Sequence, residues 1–222
     1  ITDELARKLG GYRYHHMEFE HRETQNVLHG PDYPQPIPVH TYLSIDPAFA
    51  RTKTADERAL IVFAKGRMMV RFENAGNPSW LNCIWVLEYI YNFMSPHKII
   101  QSALELHRQY YFSGVIIEAI GGAQIYEPMM HELTMGDEFY SQYPFAPTFV
   151  KHQEANKKDR IYAGLQPRMA IGQILIRAEM EEFKNECEMF DSIESPHLLD
   201  ALEFGNRNST DCIEDLWQSE TR

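Results

Sequence analysis

The sequence predicts an α/β protein with a mixed sheet, in which three antiparallel strands come first, parallel strands follow, and helices flank the sheet. Three apolar runs of strand length follow one another between residues 41 and 92. A helical pattern comes next, and a short apolar run follows it directly. Sequential strands favour an antiparallel meander, whereas a strand–helix–strand order indicates a parallel crossover. With 222 residues, 44% of them hydrophobic, the chain can bury one large core.

The chain opens with a polar, turn-rich segment. This segment ends in HGPDYPQPIPVH, whose four prolines exclude a regular helix. We therefore expect residues 1–38 to be a linker or an N-terminal extension, and residues 39–222 to be the folded domain.

The strands and helices after this segment follow from their apolar patterns. The runs TYLSID, ERALIVFAKG and WLNCIWVLEYIYN are separated by turn-forming or charged residues, as in successive strands. SPHKIIQSALELHRQYY begins with Ser95 and Pro96, a helix-start signal, and carries apolar residues near a 3.6-residue period. GVIIEAIGG then predicts a buried strand that ends in Glu118.

The rest of the chain is predicted to be mainly helical. AQIYEPMMHELTMGD predicts a helix near Pro128, and FAPTFVKH predicts a short edge strand. GQILI predicts one further strand. SPHLLDALEF starts a helix and places Asp200 among apolar neighbours.

Three acids, Asp46, Glu118 and Asp200, each interrupt apolar sequence that is typical of a core. If the two strands are neighbours and the last helix packs across them, the three carboxylates converge. Like charges at short range raise one another's pKa, and divalent cations relieve this repulsion. Two ions about 3.5–4 Å apart can activate a water and stabilise the leaving oxygen of a phosphodiester.

Each acid also has a simpler explanation. Asp46 before Pro47 is typical of an Asx turn. Glu118 could pair with an arginine, and Asp200 could face solvent from an amphipathic helix. The order of the acids along the predicted strands and helices is more specific, because it is the arrangement of a ribonuclease H-like sheet.

The charge distribution leaves room for nucleic acid despite a net charge of −11. Residues 177–222 carry 13 acidic side chains against 4 basic ones, so most of the acidity lies at the C-terminal end. A basic strip precedes it, consisting of Lys151, Lys157, Lys158 and Arg160. These side chains could bind the DNA backbone, or they could belong to a solvated loop. Lys158 is our choice for a residue that stabilises the charge of the transition state.

Four stretches, in order, resemble the C-terminal nuclease domain of the large terminase subunit of tailed bacteriophages, which belongs to the ribonuclease H-like superfamily. They are SIDPAFARTKTADERALIVFAKG, SPHKIIQSALELHRQYYFSGVIIEAIGG, KKDRIYAGLQPRMAIGQILI and SPHLLDALEF. The resemblance spans residues 41–204. It implies that Asp46, Glu118 and Asp200 are the catalytic metal ligands.

Two further residues gain a role from this resemblance. Asp56 matches an auxiliary acid and could be a secondary metal ligand or a cap of the second strand. His197 stands where many relatives carry an acid one turn before Asp200. It could approach the metal or the scissile phosphate, because residues three apart share a helix face, or it could cap the helix.

The resemblance implies a metal-dependent endonuclease that cuts concatemeric viral double-stranded DNA during genome packaging. It implies two Mg²⁺ or Mn²⁺ ions and little sequence specificity. The implied partners are an ATPase motor domain, the small terminase subunit and the portal, in the host-cell cytoplasm and without a membrane. The sequence contains no GxxxxGK[ST] motif, so we expect the motor to be separate and residues 1–40 to be the remnant of a linker toward it.

Two alternatives to this function remain at the level of sequence. One is another ribonuclease H-like nuclease, of the resolvase or transposase type. The other is a non-enzymatic docking module for the portal or the small subunit, in which the acidic C-terminal helices carry the interaction. The three cysteines show no metal-binding spacing, which favours reduced thiols inside a cell.

Overall fold

The computed structural model describes residues 13–31, 33–47, 58–70, 79–119, 125–151 and 156–209. Nine strands lie within these ranges: β1 (Arg13–Tyr14), β2 (Glu18–Arg22), β3 (Gln25–Gly30), β4 (Tyr33–Asp46), β5 (Arg58–Val70), β6 (Ser79–Asn92), β7 (Gly114–Glu118), β8 (Pro147–Val150) and β9 (Ile174–Ile176). The same ranges contain six helices: α1 (Pro96–Tyr110), α2 (Tyr126–Thr134), α3 (Glu138–Gln142), α4 (Lys157–Ala170), α5 (Glu181–Glu188) and α6 (His197–Asn208).

The strands form one mixed sheet in the order β1-β9-β6-β5-β4-β3-β2. Strands β4, β5 and β6 are the predicted antiparallel meander. After the crossover through α1, β7 pairs in parallel with the second half of β4, and β8 pairs in parallel with β7. Strand β9 runs parallel to β6. The predicted fold class is therefore confirmed.

The segment predicted to be a linker or an extension differs from that expectation where it is described. Strands β2 and β3 form an antiparallel hairpin, and β3 pairs with the first half of β4. Pro36 and Pro38 lie in β4 at alternate positions. Alternate residues direct their backbone N–H toward the same edge of a strand, so these prolines remove donors from one edge only. The other edge of β4 pairs with β3. The proposed domain boundary near residue 38 stays a prediction.

The sheet is buried on both faces, which explains the continuous apolar runs. In β5, Leu60 and Val62 belong to a cluster with α1, α2 and α3. The alternating neighbours Ile61 and Phe63 belong to a second cluster with α4, α5 and α6. The molecule thus has three layers, and the face that carries α4 to α6 positions the candidate site.

The predicted helices are present where the sequence placed them. Helix α1 has Ser95 as its N-cap, with the side chain accepting from the Lys98 N–H at 3.2 Å, and Pro96 in its first turn. It ends at Tyr111 in the left-handed conformation, with φ of 46°. Within the described ranges, none of the helices combines the length and the apolar character needed to cross a membrane.

Candidate metal centre

Asp46 and Glu118 end two neighbouring parallel strands. Ile45 of β4 lies opposite Ile117 of β7, so the next residue of each strand stands at the same edge of the sheet. Both carboxylates are buried. The sheet therefore brings together two of the three predicted acids, as their positions at the ends of apolar runs indicated.

Helix α6 lies unusually close to the sheet because of Gly205. A Cβ atom at this position would lie 2.6 Å from the Ser44 Cβ and 2.7 Å from a ring carbon of Phe63. Only glycine permits this approach, which sets the helix against β4 and β5. The N-terminal turn of α6, with His197 and Asp200, consequently lies near the carboxyl end of β4.

We expect Gly205→Ala to destabilise the fold by about 1–3 kcal/mol, because the added methyl group overpacks this contact. The measurement is chemical denaturation. Arg207→Ala, at an exposed position of the same helix, is the control and should cost less than about 1 kcal/mol. Equal stability of Gly205→Ala and the wild type would contradict the close approach.

Buried charged side chains hold both ends of α6. The Leu198 and Leu199 N–H groups donate to the two carboxylate oxygens of Glu186, at 3.0 and 2.9 Å. At the other end, Lys65 Nζ donates to the Asn206 carbonyl at 3.0 Å. An acid at the first turn and a base at the last complement the helix dipole and satisfy its terminal backbone groups. Burial raises the pKa of the Glu186 carboxyl.

His197 lies at the start of α6 and faces Asp46. Its Nδ1 is 3.3 Å from Asp46 Oδ2. No side chain of α6 itself caps the helix start, where Glu186 accepts the backbone N–H groups. The structure thus gives the capping role to Glu186 and leaves the His197 ring beside the carboxylate.

Asp200 is buried and its two oxygens contact two different cations. Lys157 Nζ is 2.9 Å from Oδ2, and Arg160 Nη2 donates to Oδ1. Arg160 also binds Glu203 at 3.1 Å, and Arg207 lies 3.5 Å from the other oxygen of Glu203. A row of alternating charges therefore links α4 to α6. Burial raises the pKa of the Glu203 carboxyl.

The donor groups suit a divalent cation, although the predicted three-acid cluster is not assembled. Two ligand atoms that each lie about 2.1 Å from one ion, at neighbouring coordination positions, are roughly 3–3.4 Å apart. The distance of 3.3 Å between His197 Nδ1 and Asp46 Oδ2 matches this separation. Carboxylate and imidazole groups are common ligands of divalent ions. Across the described ranges, however, no three His, Cys, Asp or Glu side chains are close enough to hold a metal. Asp200 instead contacts Lys157 and Arg160, and Asp56 lies outside the described residues.

Two residues without a predicted role, Tyr126 and Arg58, belong to the surroundings of Asp46. Tyr126 is fully buried, and burial raises the pKa of its hydroxyl to about 12, with Asp46 adding to the rise and Arg58 opposing it. Arg58 immediately precedes Ala59, the residue paired with Asp46 across β4 and β5. The register of this strand pair could have identified Arg58, whereas nothing in the sequence pattern indicates Tyr126.

The four members of the basic strip lie in different environments, and Lys157 is the one that contacts Asp200 Oδ2. Lys151 is exposed and follows Val150, which is paired with Glu118 at the carboxylate edge of the sheet. Lys158 Nζ donates to the Asp191 carbonyl at 3.0 Å. The Arg160 side chain is only 8% exposed and is engaged by Asp200 and Glu203. These ion pairs occupy the guanidinium that was predicted to bind the DNA backbone.

The fold is that of an α/β protein with a mixed sheet between two layers of helices, and two buried carboxylates, Asp46 and Glu118, stand at the ends of neighbouring parallel strands. Among solved structures, it is similar to the large terminase nuclease from thermophilic phage G20c, with a TM-score of 0.51 and 11% identity over 93% of this chain and 98% of that chain. Structures of the same nuclease with bound magnesium and with bound cobalt give TM-scores of 0.51 and 0.51 at 12% and 13% identity, each over 94% of this chain and 98% of that chain.

The sequence matches no protein-family model, and no curated protein matches it significantly. At such low identity the structural likeness concerns the fold. It confirms the fold that the four sequence stretches led us to expect.

Proposed function

We propose that this protein is a metal-dependent DNA endonuclease of the large terminase type, which cuts concatemeric viral DNA during genome packaging. The observation that carries the proposal is the pairing of Asp46 and Glu118 at the ends of neighbouring parallel strands, with His197 3.3 Å from Asp46. The similarity of the fold to a terminase nuclease supports this choice among the possible metal-dependent enzymes.

The buried acids would hold the metal ions. Asp46, Glu118 and Asp200 are the proposed ligands of two Mg²⁺ or Mn²⁺ ions, and His197 is an additional ligand of the ion at Asp46. When bound, these ions supply an activated water at the phosphorus and charge stabilisation at the leaving 3′ oxygen. The carboxylates position the ions and do not themselves attack the DNA. Burial and the charge of Asp46 raise the pKa of the nearby Tyr126 hydroxyl to about 12, so this hydroxyl keeps its proton at neutral pH.

Two basic side chains, Lys151, which is exposed, and Lys158, which is half-buried, would hold the DNA beside this edge of the sheet. Lys151 follows β8 at the carboxylate edge, and Lys158 lies in the first turn of α4. Contacts to phosphates give affinity through counterion release and carry no sequence information, which fits cleavage with little sequence specificity. Arg160 acts instead on Asp200, as its buried ion pairs indicate.

The proposed function also implies the partners of this protein and the compartment in which it works. The nuclease would work with an ATPase motor domain, the small terminase subunit and the portal, in the cytoplasm of an infected cell. Its fold resembles that of a large terminase nuclease, and the match covers 98% of that chain.

The proposal is tested by incubating supercoiled plasmid with the purified protein in Mn²⁺, in Mg²⁺ and in EDTA. We expect nicked and linear products with Mn²⁺ or Mg²⁺ and intact plasmid in EDTA. Intact plasmid with both metals would refute the nuclease function, and cleavage that persists in EDTA would refute the metal mechanism.

A double variant, Lys151→Ala with Lys158→Ala, tests the DNA contact. We expect weaker binding at every sequence tested and a slope of log K against log salt that is shallower by roughly 2, because two phosphate contacts are lost. The measurement is a fluorescence anisotropy titration at several salt concentrations. Lys98→Ala with Lys184→Ala removes the same charge elsewhere and serves as the control. An unchanged salt slope in the first variant would contradict the assignment.

A further inference from the structure

The Asp200 carboxylate is shared between two cations that differ in how firmly they are held. Arg160 is only 8% exposed and is fixed by a second ion pair, to Glu203 at 3.1 Å. Lys157 is 30% exposed, and beyond Asp200 its ammonium donates to the Ser195 hydroxyl at 3.2 Å. Arginine is a planar group suited to a fixed, buried ion pair, whereas the lysine ammonium sits on a flexible stem.

These two cations also meet different oxygens of the same group. Arg160 donates to Oδ1, and Lys157 lies 2.9 Å from Oδ2. The Oδ2 atom is therefore the one that a partly exposed, flexible side chain covers. Asp200 lies one turn after His197 in α6, so the two side chains share one face of the helix. Because His197 faces Asp46, this is the face directed at the ends of β4 and β7.

From this geometry we propose that Lys157 is a displaceable counterion of Asp200, which a divalent metal ion must replace before Asp200 can join the site. The inference rests on the proposed metal-dependent function. Arg160 orients the carboxylate in both states, and Lys157 neutralises it only until the metal binds. Because the ammonium and the metal compete for one oxygen, Lys157 sets the metal concentration at which the site is completed.

The test is Lys157→Met, which keeps the length of the side chain and removes its charge. Binding of Mn²⁺ to the protein without DNA is measured by isothermal titration calorimetry, after metal removal with EDTA and dialysis. We expect the dissociation constant to fall by roughly 10-fold, since one competing charge-assisted contact is lost. Lys157→Gln, which is also uncharged, should show a gain in the same direction, and thermal unfolding in EDTA establishes that both variants fold.

Two further variants separate local competition from a general change of charge. Lys98→Met removes an ammonium from an exposed position in α1, on the opposite face of the sheet, and it should leave Mn²⁺ affinity near that of the wild type. Combining Lys157→Met with Asp200→Asn should abolish the gain in Mn²⁺ affinity, because the carboxylate for which the ammonium and the metal compete is then a neutral amide.

Equal or weaker Mn²⁺ binding by both Lys157 variants would overturn the inference. A gain of the same size in Lys98→Met would also overturn it, as would a gain that persists when Asp200 is replaced by Asn. Cleavage is not the readout, so a wild type that fails to cut DNA would refute the proposed function without deciding this inference. Normal cleavage together with unchanged binding in the Lys157 variants would refute the inference alone.

Discussion

Replacing Asp46 with Asn is expected to lower the rate of plasmid cleavage in Mn²⁺ by about 10²-fold or more. The amide has nearly the same volume as the carboxylate but lacks its charge, and Asp46 lies beside both Glu118 and His197. Loss of this ligand should weaken metal binding and leave the developing charge of the transition state without compensation. The measurement is the initial rate of nicking at saturating DNA.

Asp159→Asn is the matched control, because it removes one negative charge from an exposed position in the first turn of α4. We expect it to cut at a rate close to that of the wild type. Thermal unfolding of both variants in EDTA shows whether each is folded. Cleavage by Asp46→Asn at the wild-type rate would remove Asp46 from the catalytic site.

Replacing Glu186 with Ala should destabilise the protein by roughly 2–5 kcal/mol. The carboxylate accepts the N–H groups of Leu198 and Leu199, both of which belong to buried residues, and the alanine would leave them without this acceptor. The acid also opposes the positive end of the α6 dipole. Chemical denaturation measures the loss, and Glu186→Gln, which retains one acceptor oxygen, should lie between the alanine variant and the wild type.

Glu181→Ala on the same helix is the control for this effect. The Glu181 side chain is 68% exposed and makes an ion pair with Lys184, so we expect a cost below about 1 kcal/mol. If Glu186→Ala lost no more stability than Glu181→Ala, Glu186 would not hold the start of α6. Because this turn carries His197 and Asp200, the variant should also lower metal affinity.

Most of the fold could be predicted because its elements have strong local patterns. The apolar runs of β4, β5 and β6 are buried on both faces, and α1 carries a start signal together with a helical period. The segment before residue 38 was harder to interpret. Prolines exclude a helix, but they do not distinguish a linker from a strand whose donors are needed on one edge only. The pairing of β3 with β4 places residues 25–30 in the sheet, and it depends on contacts outside the local sequence.

The candidate site was predictable only in part, for a similar reason. Asp46 and Glu118 could be found because a charge at the end of a buried strand is unusual and parallel strands end at the same edge. The partners of Asp200 depend on how α4 packs against α6, where Gly164 lies so close to Glu203 that a Cβ would be 2.7 Å from its Cγ. Glu186 and Lys65 stabilise α6 from other elements of the chain. No spacing in the sequence indicates these contacts.

The most direct test of a metal site at this edge of the sheet is a crystal structure of the protein grown with MnCl₂, with data collected at the manganese absorption edge. We expect an anomalous peak bounded by Asp46, Glu118 and His197, and its loss in Asp46→Asn crystals grown under the same conditions. No peak at this edge, or a peak that remains unchanged in the Asp46→Asn crystals, would contradict it.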